Sequence, residues 1–381
     1  MPDRLPLIGV DYTAAIRQQA GIGRSVRELV RAMTAIEPGI PLRLFVMGAR
    51  RENLPPPPGM VTSYRTSSLS ERNHARLWHR LGLPIPVERW TGPLDLFHAT
   101  DFALPPVRRG TRTVVTVYDL AFEHFPAETM PGMLGHLRRA VPRSARRADR
   151  VIAISEATRR DLIERYGIEP DKISVVYPGV ASRFHPRRDP TEEAAVRKKY
   201  GLPTGPLVLT VGTLQPRKNH LRLVRAFARM RQPASLVIAG PPGWAYEAVR
   251  EEVTRRWVEG RVFFAGFVDE ADLPALYRVA TVFAYPSLYE GFGLPALEAM
   301  ACGVPVVASN VSSLPEVVGE AGALVDPLDV EGLAAVLDAL LADEGWRAAL
   351  REQGLARARE FTWARAAEMT WDVYAAVLDR A

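Results

Sequence analysis

Short runs of apolar and β-branched residues alternate along this chain with longer segments of helical period, and that alternation restricts the fold more than any other feature. LIGVDY is followed by GRSVRELVRAMTAI, then by LRLFVMG, and later TVVTVYDL precedes RVIAISEATRRDLIERY. Strands spaced by helices in this way build a parallel sheet with crossover connections. The same grammar restarts at PLVLTVG and runs through ASLVIAG, RVFFAG, ATVFAYPS, VPVVAS and GALVDP. LPPPPG at residues 54–59 breaks the pattern and must be a loop. The polar, proline-bearing stretch ASRFHPRRDPTEEA reads as a linker. Two Rossmann-like, doubly wound α/β domains are therefore predicted, over 1–185 and 186–365. A C-terminal helix over 366–381 is expected to pack back on the first domain. Ligands in open α/β sheets bind beyond the carboxyl ends of the strands, so the two domains are expected to face a central cleft.

With 381 residues, 47% of them hydrophobic, each domain has enough apolar material for its own core. The first residues do not read as a signal peptide, and no apolar run approaches the roughly 18 residues of a membrane span. A cytoplasmic location follows as the expectation. The single cysteine, Cys302, has no partner for an internal disulfide and sits in an apolar stretch typical of core. Charge is unevenly spread: residues 1–190 carry 29 Lys+Arg against 19 Asp+Glu, while the remainder carries 20 against 24. A basic first half suggests an anionic contact, and peripheral attachment to the inner face of an anionic membrane is one expectation. The densest cluster, Arg138, Arg139, Arg143, Arg146, Arg147 and Arg150, also fits a plain solvated helix.

Chemistry concentrates in SLYEGFGLPALEAMACGVPVVAS, which reads as strand end, glycine loop, helix, turn and strand. Gly291 and Gly293 keep the backbone open, and Pro295 suits a first helical turn. A helix start of this kind favours a phosphate or the polar edge of a sugar. Glu290 stands at the loop entrance and Glu298 eight residues later, so both carboxylates are candidates for hydroxyl recognition. They are equally compatible with a surface charge and a helix-dipole partner.

The E-x7-E arrangement around GFGLP resembles the retaining glycosyltransferases of family GT4, which have the GT-B fold. GTLQPRKNHLRLVRAF, FAGFVDEADLPALYRVA and SSLPEVVGEAGALVDPLD resemble segments of that family in its usual order. GIGRSVREL, AISEATRRDL and VVYPGV do so upstream, so the likeness covers nearly the whole chain. The resemblance implies a hexosyl transfer from a nucleotide-diphosphate sugar, with GDP-mannose the first expectation and UDP- and dTDP-sugars the alternatives. A glycan, lipid-linked or small-molecule acceptor in polysaccharide biosynthesis is implied, with no further cofactor.

By the same resemblance Arg217 and Lys218 neutralise the donor diphosphate as its bond to the sugar breaks. Glu298 holds the ribose, and Glu290 with Gly291, Phe292, Gly293 and Leu294 addresses the sugar and diphosphate. Gly212 lies beside this donor loop, and Phe267 and Val268 lie near the base. Gly21, Gly23 and Arg24 line the first loop of the N-terminal domain, with Gly23 toward the donor and Gly21 and Arg24 toward the acceptor. His98 and Asp119 end strands of that domain and are expected to meet the acceptor. The sequence departs from many relatives in reading Tyr118-Asp119 where they read His-Asp. Asp119 is then a candidate base for the acceptor hydroxyl or a residue that merely holds a loop.

No carboxylate identifies itself as a covalent nucleophile of the kind used by retaining glycosidases, which favours front-face attack. No Asp-x-Asp triplet occurs, so a protein-held metal is not expected. A nucleotide-sugar epimerase or hydrolase on the same architecture remains an alternative. A nicotinamide oxidoreductase fails because Gly21 lies about ten residues beyond its strand and Val26 replaces the third glycine of the fingerprint. The basic composition, with pI near 9.6, prompts a nucleic-acid-binding alternative. No aromatic-interleaved or zinc motif accompanies that charge, and nucleic acid is not an expected partner.

Overall fold

A computed structural model describes residues 4–19, 21–59 and 62–379. They fold as two compact units. One comprises the described residues up to Gly179 and those from Trp363 onward; the other is Val180–Thr362. The division falls just ahead of the polar linker.

The first unit has seven parallel strands: β1 (Ile8–Asp11), β2 (Leu42–Met47), β3 (Ser63–Ser67), β4 (Leu96–Ala99), β5 (Arg112–Val117), β6 (Arg150–Ala153) and β7 (Ile173–Val175). Their order is β3-β2-β1-β4-β5-β6-β7. Burial on both faces explains why runs such as TVVTV show little alternation. One face packs Ile8, Val10, Leu44 and Ile152 against the helix Ile22–Ile36 and against the helix Trp363–Leu378. The latter supplies Ala367, Val373, Tyr374 and Val377, so the last helix completes the core of the first unit. The other face gathers Phe45, Phe97, Val115 and Val151 under the helix Pro131–Arg147.

The second unit has six parallel strands: β8 (Leu207–Val211), β9 (Ser235–Ala239), β10 (Val262–Gly266), β11 (Val282–Tyr285), β12 (Val306–Ser309) and β13 (Ala323–Val325). Their order is β10-β9-β8-β11-β12-β13. In each sheet the winding reverses once, between β1 and β4 and between β8 and β11, with Ile8 opposite Leu96 and Val282 opposite Val208. At such a reversal the connections leave in opposite directions and open a crevice at the carboxyl ends of the strands. The helix Leu294–Ala301 follows β11 and packs its buried Leu297 and Met300 inward. Among the described residues, no helix is long and apolar enough to cross a membrane.

Candidate active site

The reversal between β8 and β11 brings together residues that are far apart in sequence. Beyond β8, a short turn Pro216–Lys218 presents Arg217 and Lys218. Beyond β11, the loop carries Glu290, which is only 6% exposed. Lys218 Nζ lies 2.6 Å from Glu290 Oε1 and donates to the Tyr285 hydroxyl at 2.8 Å. Arg217 Nη1 approaches Glu290 Oε2 at 3.5 Å and the Tyr289 carbonyl at 3.3 Å. Burial alone pushes the Glu290 carboxyl up, but Lys218 and Arg217 outweigh it and hold the group at about 2. Two cations against one carboxylate leave the cluster with a formal positive charge, suited to a phosphate.

Three neighbours fix this geometry. Asn219 adopts a left-handed conformation at φ 61°, and its Nδ2 donates to the carbonyls of Pro286 (2.9 Å) and Pro327 (2.7 Å). It thereby ties the loops after β8, β11 and β13 together. Ser312 Oγ accepts from the Glu290 N–H at 3.0 Å, and Ser313 Oγ donates to the carbonyls of Glu290 and Phe292 at 2.9 and 2.7 Å. Gly293 precedes the helix Leu294–Ala301 at φ 113°, where a Cβ would also press within 2.7 Å of Leu314 Cδ2. Glu298, in the second turn of that helix, is buried and accepts from the Tyr277 hydroxyl at 2.9 Å.

The other predicted donor residues distribute around these loops. Gly212 directly follows β8 and donates its N–H to the Ala239 carbonyl at 2.8 Å. Gly291 is buried in the loop, and Leu294 is the first residue of the helix. Phe267, just beyond β10, is 52% exposed, whereas Val268 is buried. The Phe292 ring is also buried and packs edge-on against Phe361 at 5.6 Å, so that side chain belongs to the core.

In the first unit, a pocket of about 280 Å³ opens at the corresponding reversal, beyond β1 and β4. Asp11, Glu71 and Asp101 line it with His74, Trp78 and His136. Asp11 Oδ1 accepts from the Thr13 N–H at 2.9 Å. Burial, opposed by the Thr13 bonds, raises Asp11 to about 6. Asp101 rises to about 7 through burial, helped by the charges of Asp11 and Glu71. Carboxyls poised near neutrality beside an indole suit the hydroxyls and apolar face of a sugar. Among the described residues no three His, Cys, Asp or Glu side chains are grouped to hold a metal ion.

The model of the family Glycosyl transferases group 1 matches residues 192–357, and that of Glycosyltransferase Family 4 matches residues 20–184. The chain is 35% identical over 363 residues to the O-antigen chain mannosyltransferase B of Escherichia coli, covering 90% of this chain and 92% of that protein. This chain belongs to the GT4 glycosyltransferases. A second relative, the D-inositol 3-phosphate glycosyltransferase of Salinispora tropica, is 40% identical over 244 residues, 60% of this chain and 51% of that protein. Among solved structures, sucrose-phosphate synthase from Thermosynechococcus elongatus superposes with a TM-score of 0.76 at 23% identity, covering 99% of this chain and all of that one, and shares the GT-B fold.

One expected acceptor residue of this glycosyltransferase is corrected by its structure. His98 is 1% exposed, with Nδ1 2.7 Å from the Tyr374 hydroxyl and Nε2 2.7 Å from Thr116 Oγ1. Both ring nitrogens are occupied, and burial drives the imidazole down to about 3. It is a neutral core residue joining β4 to the last helix, not an acceptor ligand. Asp119 is half-buried and its Oδ1 accepts from the Ala121 N–H at 2.9 Å, which starts a short helix. Gly21 is exposed at the start of the helix Ile22–Ile36, and Arg24 is half-buried on its first turn. Gly23 is buried where a Cβ would meet the Gln18 and Ala14 carbonyls at 2.2 and 2.5 Å. That close approach fixes glycine there for packing reasons.

The residues that sequence reasoning passed over are Tyr285, Asn219, Ser312 and Ser313 in one unit and Asp11 and Asp101 in the other. Asp11 closes LIGVDY and Asp101 follows the strand in FHATDF, so acidic residues at strand ends were the available signal.

Proposed function

We propose that this glycosyltransferase moves a mannosyl group from GDP-mannose to a hydroxyl of a growing glycan, with retention of configuration and without a protein-held metal. The observation that carries the reading is the Lys218–Arg217–Glu290 cluster at the β8/β11 reversal, a fixed positive site where a departing diphosphate needs neutralisation. Mannose is favoured by the named activity of the Escherichia coli relative, over nine-tenths of its length. The bond from the anomeric carbon to the acceptor oxygen forms on the face from which the phosphate oxygen leaves. The acceptor proton passes to that departing oxygen, and Arg217 and Lys218 stabilise the charge left on the diphosphate. Glu298 accepts from the donor ribose. Asp11 and Asp101 accept from acceptor hydroxyls in the first unit's pocket.

A peripheral contact with an anionic membrane is part of the same proposal. Arg138, Arg146 and Arg147 are tied to Glu123, the Tyr166 carbonyl and the Pro105 carbonyl, but Arg139 and Arg143 are exposed, as are the apolar Met130 and Met133 at the start of the same helix. Co-sedimentation with anionic vesicles at low salt, lost at high salt, is the expected outcome.

The central test is calorimetric titration of GDP, UDP and dTDP into the wild type and the Lys218→Ala variant. A GDP-binding event present in the wild type and missing from the variant supports the donor site. A preference for UDP or dTDP moves the base assignment, and no nucleoside diphosphate binding overturns the proposal. Proton NMR of the product formed from GDP-mannose with chelator present then reads the anomeric configuration and the metal requirement together.

A further inference from the structure

The amino end of the second unit's sheet carries another cluster of cations, for which the transferase chemistry has no use. A pocket of about 490 Å³ is lined by Gly205, Thr281 and Pro305, which lie within two residues of the starts of β8, β11 and β12. Lys218 and Glu290 follow the opposite, carboxyl ends of β8 and β11. Five guanidinium groups, those of Arg188, Arg197, Arg278, Arg347 and Arg351, share this pocket with one carboxylate, Glu344.

The arginines are held in place by the protein. Arg188 Nε donates to Glu193 at 2.9 Å, and Arg197 Nη2 to the Val279 carbonyl at 3.3 Å. Arg347 Nη1 donates to the Leu340 and Leu341 carbonyls at 2.5 and 2.7 Å, and Arg351 Nη1 to the Gly303 carbonyl at 3.2 Å. Arg347 and Arg351 stand four residues apart on the helix Glu344–Ala358, a spacing at which like charges repel.

Arg278 is the informative member. It is 6% exposed, and its Nη2 donates to Glu192 at 2.6 Å. Its Nε stands 4.0 Å from Glu193, and neither Nε nor Nη1 has a hydrogen-bond partner. Buried charged donors are rarely left without acceptors, because burial removes the water that would otherwise serve them. An anion in the pocket would lie among the five guanidinium groups and relieve the repulsion between Arg347 and Arg351.

We propose that this pocket is a second anion site, distinct from the donor site, that takes a small molecule bearing a phosphate group. Phosphate oxygens match the fork of the guanidinium group, and the volume admits more than a bare ion.

Titrating inorganic pyrophosphate into the full-length Lys218→Ala protein tests the site with one of the two donor-side cations removed. Saturable binding of one equivalent is expected to remain. Arg351→Glu in that background reverses an exposed charge and is expected to weaken binding at least about tenfold, as loss of a charge-assisted bond implies. Arg278→Met, checked for folding by circular dichroism, is expected to abolish it. GDP binding tighter than pyrophosphate would identify a nucleotide as the occupant; equal affinity would identify the phosphates alone. Absence of saturable binding in the Lys218→Ala protein, or binding that neither arginine substitution alters, would overturn the proposal.

Discussion

Glu290 and Asp101 are acidic residues placed beyond the carboxyl ends of parallel strands, yet their surroundings drive them in opposite directions. Burial raises both. Around Glu290, Lys218 and Arg217 overcome that effect and hold the carboxyl at about 2. Around Asp101, the neighbouring charges are those of Asp11 and Glu71, which add to burial and bring it to about 7. One unit has built a permanently ionised carboxylate within a cation-rich cluster; the other has built carboxyls that change state near neutrality. The contrast shows that depth of burial does not set a carboxylate's role; the sign of the charges buried beside it does.

Removing a cation from the first of these sites is the sharpest way to break the comparison. Lys218→Ala leaves Glu290 with Arg217 alone, and a loss in transfer rate of about a hundredfold or more is expected in a steady-state assay, the size typical for removing one preorganised stabiliser of developing charge. In the second site, Asp101→Asn is expected to raise the acceptor KM about tenfold, the effect of losing one charge-assisted hydrogen bond, with little change in kcat. The wild-type acceptor KM should fall as pH rises through about 7, and the variant should lack that step.

Stability against pH reads the same contrast. Glu290, lowered from 4.5 to about 2, contributes stability above its unfolded value that is lost as pH falls toward 2. Asp101, raised from 3.8 to about 7, has the opposite sign: the folded state holds the extra proton, so its contribution is lost as pH rises across that interval. Chemical denaturation at pH 5 and pH 8 should show Asp101→Asn gaining roughly 2–3 kcal/mol relative to wild type at the higher pH.

Residues outside both sites supply the controls. His98→Ala breaks the buried bonds to Tyr374 and Thr116 and is expected to cost about 2 kcal/mol of stability, measured by urea denaturation, with acceptor KM unchanged. A selective rise in acceptor KM would restore His98 to the acceptor site. Asp119→Ala removes the bond to the Ala121 N–H and is expected to cost about 1 kcal/mol, the smallest effect of the series.

Arg217 and Lys218 were singled out through the resemblance of GTLQPRKNHLRLVRAF to a family segment. Glu290 was legible from the residues themselves, as the one opening a glycine loop between strand and helix. Their mutual contact was not, because 72 residues separate Lys218 from Glu290 and only the β8/β11 pairing closes that distance. His98 misled because β4 is buried along its whole length, so no alternation marks which face each residue takes. Its partner Tyr374 lies 276 residues away.

The sequence by itself determined two parallel α/β sheets, the GT4 family and the loops that carry the donor-side charges, since strand spacing, helical period and the order of motifs are properties of neighbouring residues. The tertiary structure alone decided that His98 serves the core and which carboxyls stay ionised. Each of those outcomes depends on which side chains from distant segments are buried together, and burial multiplies the effect of every charge and hydrogen bond it encloses.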